Sequence, residues 1–206
     1  MINVLSCIVL GFIIAATGSL TPSFLNMTVV KFSLKSGKKS ALYLVGGFAT
    51  VLFFQANLGA YLSSVLMGNS KYITLLQKVG TGILIVLSVY FFRLYFTQKK
   101  QIKHKEINTS KAYFHGIVMA LLNTFAIPFY FTTISILIGL EYFTYTPLNS
   151  LYFSIGSTSG SFFLYATYAI LASKIEHKLT FVATKMDFIL GCLTGVVGLG
   201  NLIYLL

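Results

Sequence analysis

Long apolar runs alternate with short polar breaks along this chain, and the length of the runs sets the first expectation. About 20 apolar residues in helical conformation are needed to cross the hydrocarbon core of a bilayer. Six segments reach that length, at roughly 2–24, 41–66, 72–96, 112–138, 149–173 and 185–205. The pattern predicts an all-α integral membrane protein with six transmembrane helices. The first and fourth segments contain Pro22 and Pro128, so their ends are the least sharply marked.

The first run is interrupted in an unusual way. After IVLGFIIAA the chain continues as TGSLTPSFLN (17–26), a burst of hydroxyls with a glycine, a proline and an asparagine. A loop at the membrane surface would account for it, and so would a broken helix lining a cavity. Proline removes a backbone donor and clashes with the preceding turn. Within a bilayer the freed groups must then be met by side chains, water or a ligand. Asn26 follows Pro22 and Asn123 precedes Pro128, with Thr21 and Thr124 close by. Interrupted helices at matching places in two halves point to a transporter's binding site. The competing reading is a packing kink with Ser and Thr as interhelical glue.

The match between halves extends further. GFIIAATGSLTP (11–22) parallels GIVMALLNTFAIP (116–128) with a one-residue difference in spacing. GGFATVLFFQANLGAYL (46–62) aligns without a gap to IGSTSGSFFLYATYAIL (155–171), setting Gly47 against Gly156. The long polar stretch TQKKQIKHKEINTSK (97–111) separates the two. Each half holds three spans, an odd number, so the second enters the membrane inverted. The expected architecture is one domain over 1–206, built as two inverted three-helix repeats. Repeat one covers about 1–97, a cytoplasmic linker about 98–111, and repeat two about 112–206.

Composition agrees and charge adds the orientation. The 206 residues are 56% hydrophobic and only 9% charged, where a soluble domain would be about a quarter charged. The net charge of +11 is gathered in clusters between apolar runs. Lys31, Lys35, Lys38 and Lys39 occupy the first connection. Arg93, Lys99, Lys100, Lys103, Lys105 and Lys111 surround the third, and Lys174, Lys178 and Lys185 the fifth. The even connections hold little beyond Lys71 and Glu141, with Lys78 shallow enough to snorkel. By the positive-inside rule the odd connections are cytoplasmic and both termini lie outside the cytoplasm. No nucleic-acid-binding module accompanies the basic residues. MINVLSC lacks the basic start of a secretory signal, so the first segment is expected to be retained. Cys7 and Cys192 stand alone in apolar runs and suggest neither metal nor redox chemistry.

The same residues carry a family resemblance. TPSFLNMTVVKFSLKSGKKSALYLVGGF (21–48) resembles the signature of the lysine-exporter (LysE-type) translocators. In that family the first span ends in a PGP-like element, followed by an amphipathic stretch and a Gly-Lys/Arg turn. FHGIVMALLNTFAIPFYF (114–131) is similar to the second-half signature, a Phe and a Gly followed by an Asn-Pro element. The sequence looks closest to the branch common in Bacteroidetes-type bacteria. The resemblance covers essentially the whole chain and implies export of amino acids or related small metabolites across the bacterial inner membrane, driven by an ion gradient. It carries over to Pro22, Asn123 and the glycines. Departures are Thr21-Pro22-Ser23 for the PGP element, Pro128 displaced from Asn123, and Thr50-Val51 where the family often has Gly-Asp.

No Asp or Glu lies deep in any predicted span. Asp187 sits at the start of the sixth, where an acid favours a helix N-terminus, and His115 at the mouth of the fourth. An unpaired cation in low dielectric is costly, so a basic substrate would want a buried carboxylate. The expected substrate is therefore neutral or zwitterionic, its carboxylate met by helix amides and its ammonium by freed carbonyls. The substrate-binding candidates are Thr21, Pro22, Asn26, Gln55, Asn123, Thr124, Pro128, Ser157, Thr158 and Ser161. Gln55 and Asn57 point apart, so at most one is expected to line a cavity. Ser157, Thr158 and Ser161 belong to GSTSGS (156–161), whose glycines equally suit close helix packing. The aromatic residues are expected mostly at lipid-facing and interfacial positions.

No metal motif, nucleophile elbow or phosphate loop is present, so an enzyme is not expected, and no cofactor is implied. The expected partners are a small-molecule substrate and the lipid bilayer, with a homo-oligomer left open and no nucleic acid. The function expected is secondary-active export. A non-transporting scaffold or subunit of a membrane complex is the alternative.

Overall fold

A computed structural model describes residues 4–20, 23–66, 109–123 and 125–175. It also describes residues 78, 81–82, 85–86, 88–93, 95–97, 188, 191–192, 194–196 and 198–203. Five helices are delimited: α1 (Val4–Leu20), α2 (Phe24–Leu66), α3 (Thr109–Leu121), α4 (Ala126–Gly139) and α5 (Pro147–Ile170). No strand occurs among the described residues. The chain divides into two compact units, one of Met1–Val65 with Glu106–Glu176, the other of Leu66–Lys105 with His177–Leu206.

In the first unit, small residues decide which helices meet. The buried face of α1 is Cys7, Gly11 and Ala15, one residue per turn, and it lies against α5. A Cβ added to Gly11 would strike the carbonyl oxygen of Phe153, and one added to Gly156 would strike that of Ile8. A second crossing joins α2 to α3 by the same rule. A Cβ on Gly47 would strike the Tyr113 carbonyl, and one on Gly116 that of Leu44. In all four cases the glycine presses on the carbonyl three residues before its partner glycine. Backbone-to-backbone contact of this kind replaces hydrophobic driving force when lipid surrounds the helices.

The outward faces are apolar. Phe54 on α2 is 66% exposed and Phe163 on α5 is 61% exposed, with Leu5 and Ile13 exposed on α1 and Ile136 on α4. Inside, Ser150, Ser154, Ser157 and Ser161 are buried together with Phe48, Phe143 and Phe153. Hydroxyls share the interior with large apolar side chains, and the large apolar side chains on the outer faces suit a lipid environment. By length and composition, Leu25–Leu66 within α2 can cross a membrane, and so can α3 with α4 taken as one bent span.

Three boundaries depart from the hydropathy pattern. The first helix ends at Leu20 and the next begins at Phe24, so the polar stretch is a helix break and not a long connection. The segment after the break, expected as a cytoplasmic connection up to about residue 40, is helical and largely buried through Leu25, Val29, Val30 and Phe32. It passes into the second apolar run at Gly37, whose φ of 83° and ψ of 158° break the helical path. An L-residue scarcely populates that conformation, while a Cβ there would meet nothing, so backbone angle selects glycine. The fourth apolar run is two helices, α3 and α4, bent by 61° across 122–125. Pro128 falls in the first turn of α4, where its missing N–H has no intrahelical partner to lose. Helix α5 starts at Pro147 with Thr146 as N-cap, its hydroxyl accepting from Asn149 N at 3.0 Å.

In the second unit, Ser88 Oγ donates to the Gly191 carbonyl at 2.8 Å, and the Phe92 and Phe188 rings meet edge to face at 5.8 Å. Gly191 packs under the Phe92 ring and Gly195 against Ser88, a packing use of both glycines.

Candidate functional site

The two helix breaks expose backbone groups inside the first unit, and the chain's own side chains meet several of them. At the first break, Asn26 is fully buried; its Nδ2 donates to the Ser19 carbonyl at 2.9 Å, and its Oδ1 accepts from Ser23 Oγ at 2.7 Å. The Tyr168 hydroxyl reaches the Leu20 carbonyl at 3.2 Å. At the second break, the Ala120 carbonyl accepts from Asn123 N at 3.1 Å and from Gln55 Nε2 at 3.3 Å. Each break thus has one side-chain amide donating to a carbonyl of the preceding helix. Carbonyls expected to be free for a substrate ammonium are already engaged at these three positions.

Hydroxyl groups collect beside the first break. Ser19 Oγ and Ser161 Oγ lie 3.3 Å apart, joining the end of α1 to α5. From α4, the Tyr130 hydroxyl faces Ser161 and Ser157. From α5, the Tyr165 hydroxyl faces Ser19 and Ser23, with Tyr130 and Tyr168 nearby. Tyr130 and Tyr165 are only 2% and 4% exposed. Their rings are held edge to face by Phe153 at 6.4 Å and Phe48 at 5.5 Å. Ser157 is fully buried, yet its Oγ has no hydrogen-bond partner. Ser154 Oγ, Thr158 Oγ1 and Gln55 Oε1 likewise have no hydrogen-bond partner.

One helix starts at the first break, and the first turn of another packs near it. Helix α2 begins at Phe24, directly after Ser23, with its first turn marked by Met27 N donating to the Ser23 carbonyl at 3.1 Å. The first turn of α4 packs against the end of α1, since the Phe129 ring fills the space beside Gly18. Unpaired N–H groups and the positive end of the helix dipole favour negative charge at such starts.

The sequence-derived candidates separate into groups. Ser157 and Ser161 are buried in the hydroxyl cluster, with Thr158 half-buried on the same helix. Asn26 braces the break that forms one edge of it. Gln55 acts at the other break, while Asn57 accepts from Ser150 Oγ at 3.0 Å on another side of α2. Asn123 is half-buried in the second break, and Pro128 lies exposed on the outer face of α4. Thr21, Pro22 and Thr124 lie outside the described residues, as do Asp187 and Lys71. His115 stacks its ring on Phe32 at 6.1 Å. Tyr130 and Tyr165 are not singled out by sequence; the available signals are Tyr165 four residues after Ser161 and Tyr130 two residues after Pro128.

Among the described residues, the cluster holds hydrogen-bond donors and acceptors without a fixed charge. Glu141 is the one acidic residue among those described; it is exposed just beyond α4 and far along the chain from either break. No group able to hold a metal ion is found among the described residues. Such a site can bind and orient a polar molecule but offers no described nucleophile–base pair.

Comparison with known proteins adds one match. No curated protein and no solved structure shows significant similarity to the chain. The family model described as LysE type translocator matches residues 16–205, a range that takes in both helix breaks and the whole hydroxyl cluster. The chain belongs to the LysE type translocator family.

Proposed function

We propose that this protein is a secondary-active exporter of amino acids or related small metabolites, with a neutral or zwitterionic substrate preferred over a basic one. The observation that carries this reading is the buried hydroxyl cluster at the first helix break, uncharged and braced by Asn26. Moving a dissolved solute through a bilayer requires polar groups to replace its water, and irregular backbone within a membrane is tolerated where it is buried in protein or lines such a path. Among the described residues of this cluster, no carboxylate would meet a second cationic group on the substrate.

Two inverted repeats are supported by the packing rule shared by the glycine crossings. Gly11 and Gly116 correspond between halves, as do Gly47 and Gly156, and each pairs across to the other half with the same three-residue offset. The division into units is also parallel, since the first two spans of each half fall in one unit and the third spans in the other. In this reading the chain lies in the inner membrane with both termini outside the cytoplasm, as the lysine clusters dictate.

The test is untargeted metabolite analysis of the medium from cells with and without the protein, in rich and dipeptide-fed cultures. Expected is accumulation of one or a few neutral amino acids or close relatives. An unchanged profile would overturn export, and clearance of lysine in preference to neutral amino acids would overturn the substrate preference.

A further inference from the structure

We infer that the hydroxyls of Tyr130, Ser157 and Ser161, closed by Tyr165 beside the start of α2, form a subsite for the carboxylate of the exported molecule. This rests on the export reading and assigns to it a part of the site that binds one functional group.

The argument begins with an unmet requirement. Burying a hydroxyl without a hydrogen bond is unfavourable, and native proteins rarely leave one so. Ser157 Oγ is fully buried and faces the Tyr130 hydroxyl, yet makes no hydrogen bond of good geometry. Ser161 Oγ shares Tyr130 with it and reaches Ser19 at 3.3 Å, a long contact for two hydroxyls. An acceptor placed among these groups would draw a donor from each. Phenol and alcohol hydroxyls rotate to donate, so a cluster of them adapts to the several lone pairs of a carboxylate.

Electrostatics select the sign. Among the described residues, no Lys, Arg, His or acid contributes to the cluster, so their side-chain charge sets no preference. The start of α2 does. Tyr165 faces Ser23, the residue before α2. A helix start carries the positive end of the helix dipole, which stabilises an anion. The opposite helix ends are less available, because the carbonyls of Ser19, Leu20 and Ala120 already accept from Asn26, Tyr168 and Gln55. A carboxylate therefore gains more here than an ammonium does.

The experiment measures thermal stabilisation of the purified full chain by defined probes. One probe is an equimolar mixture of neutral L-amino acids. The others are the matching mixture of their C-terminal amides and the matching mixture of their decarboxylated amines. The amino acids are expected to stabilise the protein, with the amides and amines binding at least roughly tenfold more weakly, as loss of a hydrogen bond to a charged group implies. Tyr130→Phe and Ser157→Ala keep the packing volume and are each expected to weaken amino-acid stabilisation by roughly tenfold. Thr167→Ala, which alters an exposed hydroxyl bonded only to the Phe163 carbonyl, is expected to leave it unchanged. Stabilisation by amides or amines equal to that by the acids overturns the subsite, and so does no stabilisation by the acids, or an undiminished response in both cluster variants. Export in cells of a compound lacking a carboxylate would leave the export reading standing while removing this one.

Discussion

The side-chain amide of Asn26 donates to the carbonyl of Ser19 at 2.9 Å, tying the first turn of α2 back to the last turn of α1 across the helix break. With Ser23 donating to its Oδ1, Asn26 serves both sides of the discontinuity. Replacing it with Leu removes a donor from one half-buried carbonyl and an acceptor from a hydroxyl. A loss of about 1–3 kcal/mol is expected in thermal or denaturant unfolding of the purified protein. Asn26→Asp retains the acceptor toward Ser23 but turns an oxygen toward the Ser19 carbonyl, so it is expected to be no better tolerated. Wild-type stability in both variants would show that the break is held by other groups.

The glycine crossings predict paired effects. Gly11→Ala and Gly156→Ala each drive a methyl into a backbone carbonyl that cannot rotate away, and each is expected to cost about 1–3 kcal/mol. Once the helices have separated to admit one methyl, the second meets less resistance. The double variant is therefore expected to lose less than the sum of the singles. Gly47→Ala and Gly116→Ala should behave in the same way at the other crossing. Additive losses would show that each pair does not share one contact.

At Gly37 the expectation differs in kind. Gly37→Ala removes no contact and creates no clash, but it forces an L-residue to a φ of 83°. The cost is expected at about 1–3 kcal/mol, seen as a lowered unfolding midpoint. A neutral result would mean that the joint between residues 36 and 38 relaxes to another conformation at little expense.

Pro128→Ala separates a folding role from a transport role. Pro128 is exposed and sits in the first turn of α4, so its removal is expected to cost less than about 1 kcal/mol and to leave efflux at its wild-type rate. Efflux lost with stability kept would place the α3–α4 bend in the transport step itself.

Much of the architecture was legible because lipid imposes strong rules on a chain. The break at TGSLTPSFLN, the spacing of Gly47 and Gly156, and the small face of GSTSGS all reflect periodicity and what lipid tolerates. Residues 24–36 misled for a physical reason. Their lysines are exposed or half-buried while Leu25, Val29 and Phe32 are buried, an amphipathic helix whose low mean hydropathy resembles a connection. Tyr130 and Tyr165 were hidden for another. An aromatic ring suits lipid and core alike, and only the tertiary arrangement reveals that these two hydroxyls point at Ser157, Ser161 and Ser19. Pro128 illustrates the reverse, since its residue type announced a bend without showing that the ring itself faces outward.

The close pairing of α1 with α5 also sets a timetable. Helix α1 ends at Leu20 and its partner is complete only at Ile170. At a synthesis rate of about 5–20 residues per second, α1 waits roughly 8 to 30 seconds for the surface it will contact. Its bare face meanwhile is the stripe of Cys7, Gly11 and Ala15, small groups that neither demand a hydrogen bond nor offer a strong grip to a wrong neighbour. A helix that must be made first and paired late is well served by a face that is easy to leave uncovered.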